Sequence, residues 1–200
     1  MKITAITAQV KRAGRYSVYV EGKFAFGLGG NDLLSLGLVS GQELTEEELA
    51  NLKEESELGK LYDKTLNLLS FRPRSEWELK SYLKRKQQSP AVIEKILNRL
   101  SKYGYVDDLQ FAQRWVENRR LLKPISTLKL RAELKQKNIA NNIIDEVLKA
   151  DTTDETEVLK ELIERKAKRY PDRQKLMAYL ARQGFRYDNI KKALIEAGIS

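Results

Sequence analysis

The sequence contains no cysteine and no histidine among its 200 residues. Without cysteine, neither a disulfide framework nor a thiolate zinc site can form. Without histidine, the chain lacks the commonest general base and the commonest metal ligand. It also lacks an apolar run of the ~18 residues that a membrane helix requires, and a secretory signal pattern at its start. The ordinary tools of an enzyme are therefore missing, although an enzyme is not forbidden, and we expect no catalytic site, cofactor, metal or membrane contact. The composition is compatible with a cytoplasmic protein.

Charge is distributed unevenly along the chain. The net charge is +9, but residues 1–58 carry 6 Lys/Arg and 9 Asp/Glu, a net charge of −3. Residues 59–200 carry 31 Lys/Arg and 19 Asp/Glu, a net charge of +12. A strongly basic region is expected to attract a polyanion or an acidic protein surface, and charge alone does not distinguish the two.

A pattern of four apolar residues occurs three times, with the later members 4, 14 and 18 positions after the first. The copies are Leu79, Leu83, Ile93 and Leu97; Leu130, Leu134, Ile144 and Leu148; and Leu176, Leu180, Ile190 and Leu194. Their first leucines lie 51 and then 46 residues apart. A period near ~50 residues indicates stacked helical units that share a core.

Helix-capping and helix-breaking residues recur with the same period. A capping residue stands four positions before each first leucine, and a proline stands just before it: Ser75, Ser126 and Asp172, with Pro73, Pro124 and Pro171. Asn138 and Gly184 suit the left-handed conformation that ends a helix, and Gln87 at the same offset suits it less well. Each repeat is therefore predicted to be a helix–turn–helix preceded by a further helix, over residues 61–70, 108–121 and 157–169.

The N-terminal segment has a different pattern. Residues 16–20 and 23–26 alternate in polarity around Glu21-Gly22, which predicts a β-hairpin, and residues 3–10 could add a third strand. Residues 33–36 are predicted to form a short helix. Thr45 and Glu48 have the spacing of a capping box and open a helix over residues 46–60. A hairpin alone is marginally stable, so it must pack on this helix or on the first repeat.

These patterns predict a mainly α fold: three tandem three-helix repeats in an elongated, curved array, with a small N-terminal extension of a β-hairpin and helices. The predicted domains are residues 1–58 for the extension and 59–106, 107–152 and 153–200 for the three repeats.

Basic residues gather beside the apolar stripe of the first two repeats. They could form a continuous face that contacts phosphates or carboxylates, or they could be an ordinary solvated helix surface. Trp77 lies away from the apolar stripe beside Lys80 and Lys84, and Leu128 has the matching place in the second repeat. An exposed anchor for a partner and packing against the preceding helix both remain open for Trp77.

Two further motifs favour structural interpretations. Asp107 and Asp108 follow a glycine helix stop, so helix capping is favoured over a metal site. Residues 27–30 are glycine-rich but lack the phosphate-loop spacing, which favours the exit from a hairpin.

Three segments resemble the RecX family of bacterial recombination regulators. They are residues 72–79 (RPRSEWEL), residues 103–112 (YGYVDDLQFA) with Arg119, and residues 14–28 (GRYSVYVEGKFAFGL), the last being similar to the N-terminal region of longer members. The third repeat departs most from the family pattern and lacks an Asp-Asp junction.

The resemblance implies a non-enzymatic regulator that binds the filament of RecA recombinase on single-stranded DNA. Such a regulator usually limits filament growth, ATP hydrolysis and strand exchange. We expect a monomer that contacts RecA, and single-stranded DNA directly or through RecA. The candidate contacts, chosen by charge and spacing, are Arg72, Arg74, Trp77, Lys80, Lys84, Arg119, Arg120, Lys123, Lys129, Arg131 and Lys135. A stand-alone nucleic-acid-binding repeat protein is the alternative, followed by an armadillo-like scaffold.

Overall fold

The computed structural model describes residues 1–199, which form three strands and ten helices. The strands are β1 (Ile3–Ala8), β2 (Arg15–Val20) and β3 (Lys23–Gly29). The helices are α1 (Gly30–Ser35), α2 (Glu46–Phe71), α3 (Glu76–Arg85), α4 (Pro90–Lys102), α5 (Asp108–Leu122), α6 (Thr127–Gln136), α7 (Asn141–Ala150), α8 (Glu155–Ala167), α9 (Arg173–Arg182) and α10 (Tyr187–Glu196). The predicted mainly helical fold with a small N-terminal β element is confirmed.

The chain divides into two compact units. The first unit contains Met1–Arg72 and Leu83–Tyr105, and the second contains Pro73–Tyr82 together with the chain from Val106 onward. The four-part division proposed from the sequence stays a prediction.

In the first unit, an antiparallel sheet in the order β1-β2-β3 packs on α2. Glu21 and Gly22 both have positive φ, 49° and 76°, as the two-residue turn between β2 and β3 requires. The buried sheet residues Val18 and Phe26 share a core with Leu52 of α2. The hydroxyl of Ser56 on α2 also donates to the carbonyl of Gly27 at 2.7 Å, so the sheet is supported by this helix as predicted.

Helix α2 is one continuous helix of 26 residues, so the prediction of two helices over residues 46–60 and 61–70 was wrong. Thr45 and Glu48 form the predicted capping box at its start. No proline interrupts the following residues, and the helix ends where Pro73 forces Arg72 into an extended conformation with φ of −166°. Helix α2 therefore continues past residue 60, where the sequence predicted the end of one helix and the start of another.

The arginine Arg99 fixes α4 within the first unit. Its guanidinium donates to Asp32 of α1 at 2.6 Å and lies 4.4 Å from the ring centroid of Tyr62 on α2. One side chain therefore connects three helices of this unit.

In the second unit, the repeat pattern builds two separate cores. One is formed by α5, α6 and α7 around Leu130, Leu134 and Ile144, and the other by α8, α9 and α10 around Leu176 and Leu180. All twelve residues of the threefold apolar pattern, including the four of the first repeat, are buried. The sequence pattern therefore identified core positions correctly in every repeat.

The turns after the middle helices are left-handed at the predicted offsets. Asn138 has φ of 57° and Gly184 has φ of 90°, and Gln87 adopts the same conformation with φ of 56° although its side chain suits it less well. Gly184 has a second constraint, because a Cβ atom there would lie 2.3 Å from the hydroxyl of Ser126 and 2.8 Å from Cβ of Lys129.

We predict that Gly184→Ala lowers the free energy of unfolding by about 2–4 kcal/mol, since it adds a steric overlap to the cost of a left-handed alanine. Gly104→Ala is the matched control, because Gly104 also has positive φ but an added Cβ meets no atom within 4 Å. The control should cost only about 1 kcal/mol. Urea denaturation of both variants measures the difference, and equal losses would contradict the close approach at Gly184.

Candidate interaction surface

The N-terminus of α3 is docked against the second repeat. Ser75 is fully buried, and its hydroxyl donates to the carbonyl of Lys137, just beyond the end of α6, at 2.9 Å. Ser75, predicted as a capping residue, forms a capping box with Glu78, with both bonds at 3.3 Å. The cap of α3 is therefore at the same time a contact between successive repeats.

The two aspartates at the start of α5 serve different helices. The carboxylate of Asp107 accepts from the backbone N–H groups of Leu109 and Gln110 at 2.8 and 3.0 Å, which confirms the predicted N-cap. The carboxylate of Asp108 instead accepts from the N–H of Glu76 in the first turn of α3 at 2.9 Å. The sequence did not reveal this second role, because nothing in the local pattern shows which helix end lies beside Asp108.

The pKa of the Asp108 carboxyl is raised above its ordinary value. Burial is the largest cause, and the nearby carboxylates of Glu76 and Asp107 add to it, while the bond from the Glu76 N–H acts in the opposite direction. The surroundings of Asp108 therefore disfavour its ionised form.

A second set of contacts extends from α3 across the second repeat. The ammonium of Lys137 donates to Glu78 at 2.8 Å and lies 5.2 Å from the ring centroid of Trp115. The indole N–H of Trp115 donates to Glu133 at 2.9 Å, and Nε of Arg119 donates to the same carboxylate oxygen at 2.7 Å. Trp115 also packs against the core, and the guanidinium of Arg119 lies 4.9 Å from its ring centroid.

The next pair of repeats uses equivalent contacts. Ser126 at the start of α6 is fully buried, and its backbone N–H donates to the carbonyl of Gln183 beyond α9 at 3.1 Å. The N–H of Thr127 donates to the carboxylate of Glu155, the first residue of α8, at 3.0 Å. Asp108 and Glu155 hold matching positions, and so do Lys137 and Gln183, so both junctions use the same pair of acceptors. The serine donates through its hydroxyl in the first junction and through its backbone N–H in the second.

The structure exposes part of the predicted contact set. Trp77 keeps 44% of its surface exposed, and Leu128 at the equivalent position of α6 keeps 63%. Lys80, Lys84, Lys123 and Lys135 are exposed. Arg131 reaches Asp145 at 2.5 Å in a partly exposed ion pair. Arg72 is exposed and Arg74 half-buried, on either side of Pro73.

Among residues 1–199, no cluster of acidic side chains has the makeup of a metal site. In the same part of the chain, no helix combines the length and apolar character needed to span a membrane.

The chain matches four family models. They describe the RecX regulatory protein N-terminal domain over residues 1–45 and the first, second and third three-helix domains of RecX over residues 62–100, 107–148 and 153–194. The chain belongs to the RecX family of regulatory proteins. The predicted three three-helix units are confirmed by these matches.

Curated relatives and solved structures agree with this assignment. Regulatory protein RecX of Bacillus velezensis is 32% identical over 96% of this chain and 76% of its own length, and that of Bacillus subtilis is 30% identical over 96% and 75%. A crystal structure of regulatory protein RecX aligns with a TM-score of 0.77 at 31% identity, covering 96% of this chain and 98% of that one. RecX from Lactobacillus salivarius aligns with a TM-score of 0.59 at 26% identity, covering 72% and 97%.

Besides Arg131, the predicted contacts Arg119, Arg120 and Lys129 of this RecX-family chain are engaged within the fold. Arg119 binds Glu133, as described above. The ammonium of Lys129 donates to the carbonyl of Arg182 at 2.6 Å, which adds to the second junction. Arg120 donates to Asp151 at 2.7 Å, and both side chains are only 10% exposed. The charge and spacing that selected these residues also suit structural ion pairs, so the sequence could not separate the two roles.

Arg120 makes the most extensive of these internal contacts. Besides Asp151, its guanidinium donates to the carbonyl of Ile125 at 2.6 Å and to the hydroxyl of Thr127 at 3.1 Å. It therefore ties the end of α5 to the start of α6 and to the segment after α7. Burial raises the pKa of Asp151, but hydrogen bonds from Thr153 and Arg120 outweigh it and hold the pKa below its usual value.

We predict that Arg120→Ala lowers the free energy of unfolding by about 3–5 kcal/mol, because it leaves the Asp151 carboxylate buried without its cationic partner. Lys123→Ala, three residues away on the exposed end of the same segment, should change it by less than about 0.5 kcal/mol. Chemical denaturation of both variants tests the assignment, and similar losses would argue against a structural role for Arg120.

We predict that the stability of the fold depends on pH through the ionisation of Asp151. Because its pKa is lowered on folding, ionised Asp151 stabilises the fold at pH values above its unfolded pKa, near 3.8, and this contribution disappears as the pH falls through the folded pKa. Asp151→Asn should therefore be less stable than the unmodified chain at pH 7, with the difference shrinking below about pH 4. Thermal unfolding across this range measures it, and a difference independent of pH would contradict the assignment.

Proposed function

We propose that this RecX-family protein binds the RecA filament on single-stranded DNA and limits filament growth, ATP hydrolysis and strand exchange. The proposal rests on the family assignment and on the exposed groups of α3 and α6. We further propose that it acts as a cytoplasmic monomer that contacts RecA and, directly or through RecA, the DNA, without catalysing a reaction.

The observation that supports protein binding is an exposed apolar side chain beside a basic residue at equivalent positions of two successive repeats. Trp77 stands with Lys80 on α3, and Leu128 stands with Arg131 and Lys135 on α6. Large apolar side chains are typical anchors of protein interfaces, and charged residues around them set orientation and the rate of encounter. These five residues are called the anchor surface below.

The charge balance supports an acidic partner surface. Residues 59–200 carry the whole positive excess of the chain, a net charge of +12. Arg119, Arg120 and Lys129 contribute to that excess but are engaged inside the fold. The remaining exposed lysines of the anchor surface are the side chains best able to meet carboxylates or phosphates of the partner.

The decisive experiment is RecA-dependent ATP hydrolysis on single-stranded DNA, titrated with this protein. We expect inhibition at far less than one protein per RecA, since blocking filament growth at a few points affects many subunits. An unchanged rate together with no detectable binding to the filament would contradict the proposal.

We predict that the double variant Lys80→Glu/Lys135→Glu needs about a tenfold higher concentration for half-maximal inhibition, because it places two anions against an acidic partner surface at a cost of about 1.4 kcal/mol in total. The double variant Lys149→Glu/Lys192→Glu is the matched control, with the same change in net charge at exposed positions of α7 and α10. Equal losses in both variants would show that only net charge matters.

Direct nucleic-acid binding is the second candidate, and the positive charge of the repeats favours it. Binding of that kind persists without RecA and weakens steeply with salt. Measuring affinity for single-stranded DNA alone between 50 and 200 mM salt, roughly the range in which phosphate contacts lose most affinity, separates the two candidates. If the loss of inhibition of ATP hydrolysis parallels the loss of affinity for single-stranded DNA in every variant, direct nucleic-acid binding is favoured.

A further inference from the structure

The two repeat junctions of the second unit share one design. In each, the N–H group of the first residue of a middle helix donates to a carboxylate that opens the first helix of the next repeat. The bonds are Glu76 to Asp108 at 2.9 Å and Thr127 to Glu155 at 3.0 Å. In each, the preceding serine is fully buried and bonds to the carbonyl just before the left-handed turn of the next repeat.

These contacts determine where each middle helix points. The first N–H groups of a helix have no partner inside the helix, so a neighbour that accepts from them fixes both the position and the direction of that end. For α3, Asp108 supplies one acceptor and the carbonyl of Lys137 a second point, while the ammonium of Lys137 binds Glu78 one turn along. Three points of attachment hold α3 in a defined position relative to the second repeat.

Because α3 is held in a defined position relative to the second repeat, the spacing of the two exposed apolar side chains of the anchor surface is also defined. Trp77 on α3 and Leu128 on α6 occupy equivalent positions, and both are exposed. If both engage one partner, the second contact forms within the same complex, at an effective concentration that depends on how firmly the two helices are held relative to each other. A polymer of identical subunits, which offers the same surface repeatedly, is a partner that can meet both.

We propose that Asp108 is a positioning residue that holds α3 in register with α6, so that Trp77 and Leu128 engage the filament together as a two-point site. This rests on the proposed function and extends it, because it assigns the strength of inhibition to a contact that does not itself touch the partner. The equivalent residue Glu155 sets the register of the third repeat, which contributes neither anchor.

Two matched charge reversals test the proposal. Asp108→Lys and Glu155→Lys make the same change in charge at equivalent junctions, and each places a cation against a helix N-terminus, where it is unfavourable. Asp108→Lys should raise the concentration for half-maximal inhibition of RecA ATP hydrolysis about tenfold, since linked contacts strengthen binding by ~10²–10⁴ in bivalent systems. Glu155→Lys should change it by less than about twofold, because its junction does not lie between the two anchors.

The conservative variant separates positioning from charge. The amide oxygen of Asp108→Asn can still accept from the N–H of Glu76. It should therefore inhibit like the unmodified protein, to within about twofold, although it carries the same loss of negative charge as Asp108→Ala. Weak inhibition by Asp108→Asn would overturn the proposal.

Coupling between the anchors supplies a readout that simple destabilisation would not change. Trp77→Ala should raise the inhibitory concentration by about tenfold or more in the unmodified protein. In the Asp108→Lys background the same substitution should add only about twofold, because α3 no longer contributes to a linked site. Equal effects of Trp77→Ala in both backgrounds would overturn the two-point site.

Circular dichroism verifies that each variant keeps its helical content. If Asp108→Lys loses helicity, the pair Asp108→Ala and Glu155→Ala replaces the charge reversals with the same expected order of effects. Identical inhibition by the two members of the pair would overturn the positioning role while leaving the proposed function intact. A failure of the unmodified protein to affect RecA would instead contradict the proposed function itself.

Discussion

The unpaired N–H groups at the start of each middle helix are the constraint on which the repeat architecture depends. Burial of Ser75 and Ser126 removes water from these helix ends, so the protein must supply acceptors. A carboxylate of the next repeat accepts from the first N–H of α3 and of α6. A turn carbonyl of that repeat accepts from the hydroxyl of Ser75 at α3 and from the backbone N–H of Ser126 at α6. The same bonds therefore satisfy local hydrogen bonding and define how one repeat follows another, which explains why the junction occurs twice in one form.

The basic residues of the repeats also differ in whether the fold engages their charges. Lys129 and Lys137 complete the junctions, and Arg120 fastens α5 to the start of α6, so their charges are engaged inside the fold. Lys80 and Lys135 remain exposed beside Trp77 and Leu128. Under the proposed function, substitutions among the exposed contact residues need not disturb the ion pairs that hold the repeats together.

The N-terminal sheet depends on α2 for its support. A three-stranded sheet has limited stability by itself, and here α2 supplies both apolar cover through Leu52 and a hydroxyl from Ser56. Since α2 continues without a break from Thr45 to Arg72, the helix that supports the sheet also forms the first helix of the first repeat. The N-terminal extension is thus built onto the repeat series through one shared helix.

The sequence by itself determined the periodic elements: the buried leucines and isoleucines, the caps at Ser75, Ser126 and Asp107, and the turn conformations at Asn138 and Gly184. These follow from spacing and from the local chemistry of single residues, which the sequence displays directly. Tertiary structure alone decided the partner of Asp108 and which arginines and lysines are engaged inside the fold. Each of these depends on which side chain or helix end lies nearby in space, and residues 32 positions apart, such as Glu76 and Asp108, carry no local signal of their contact.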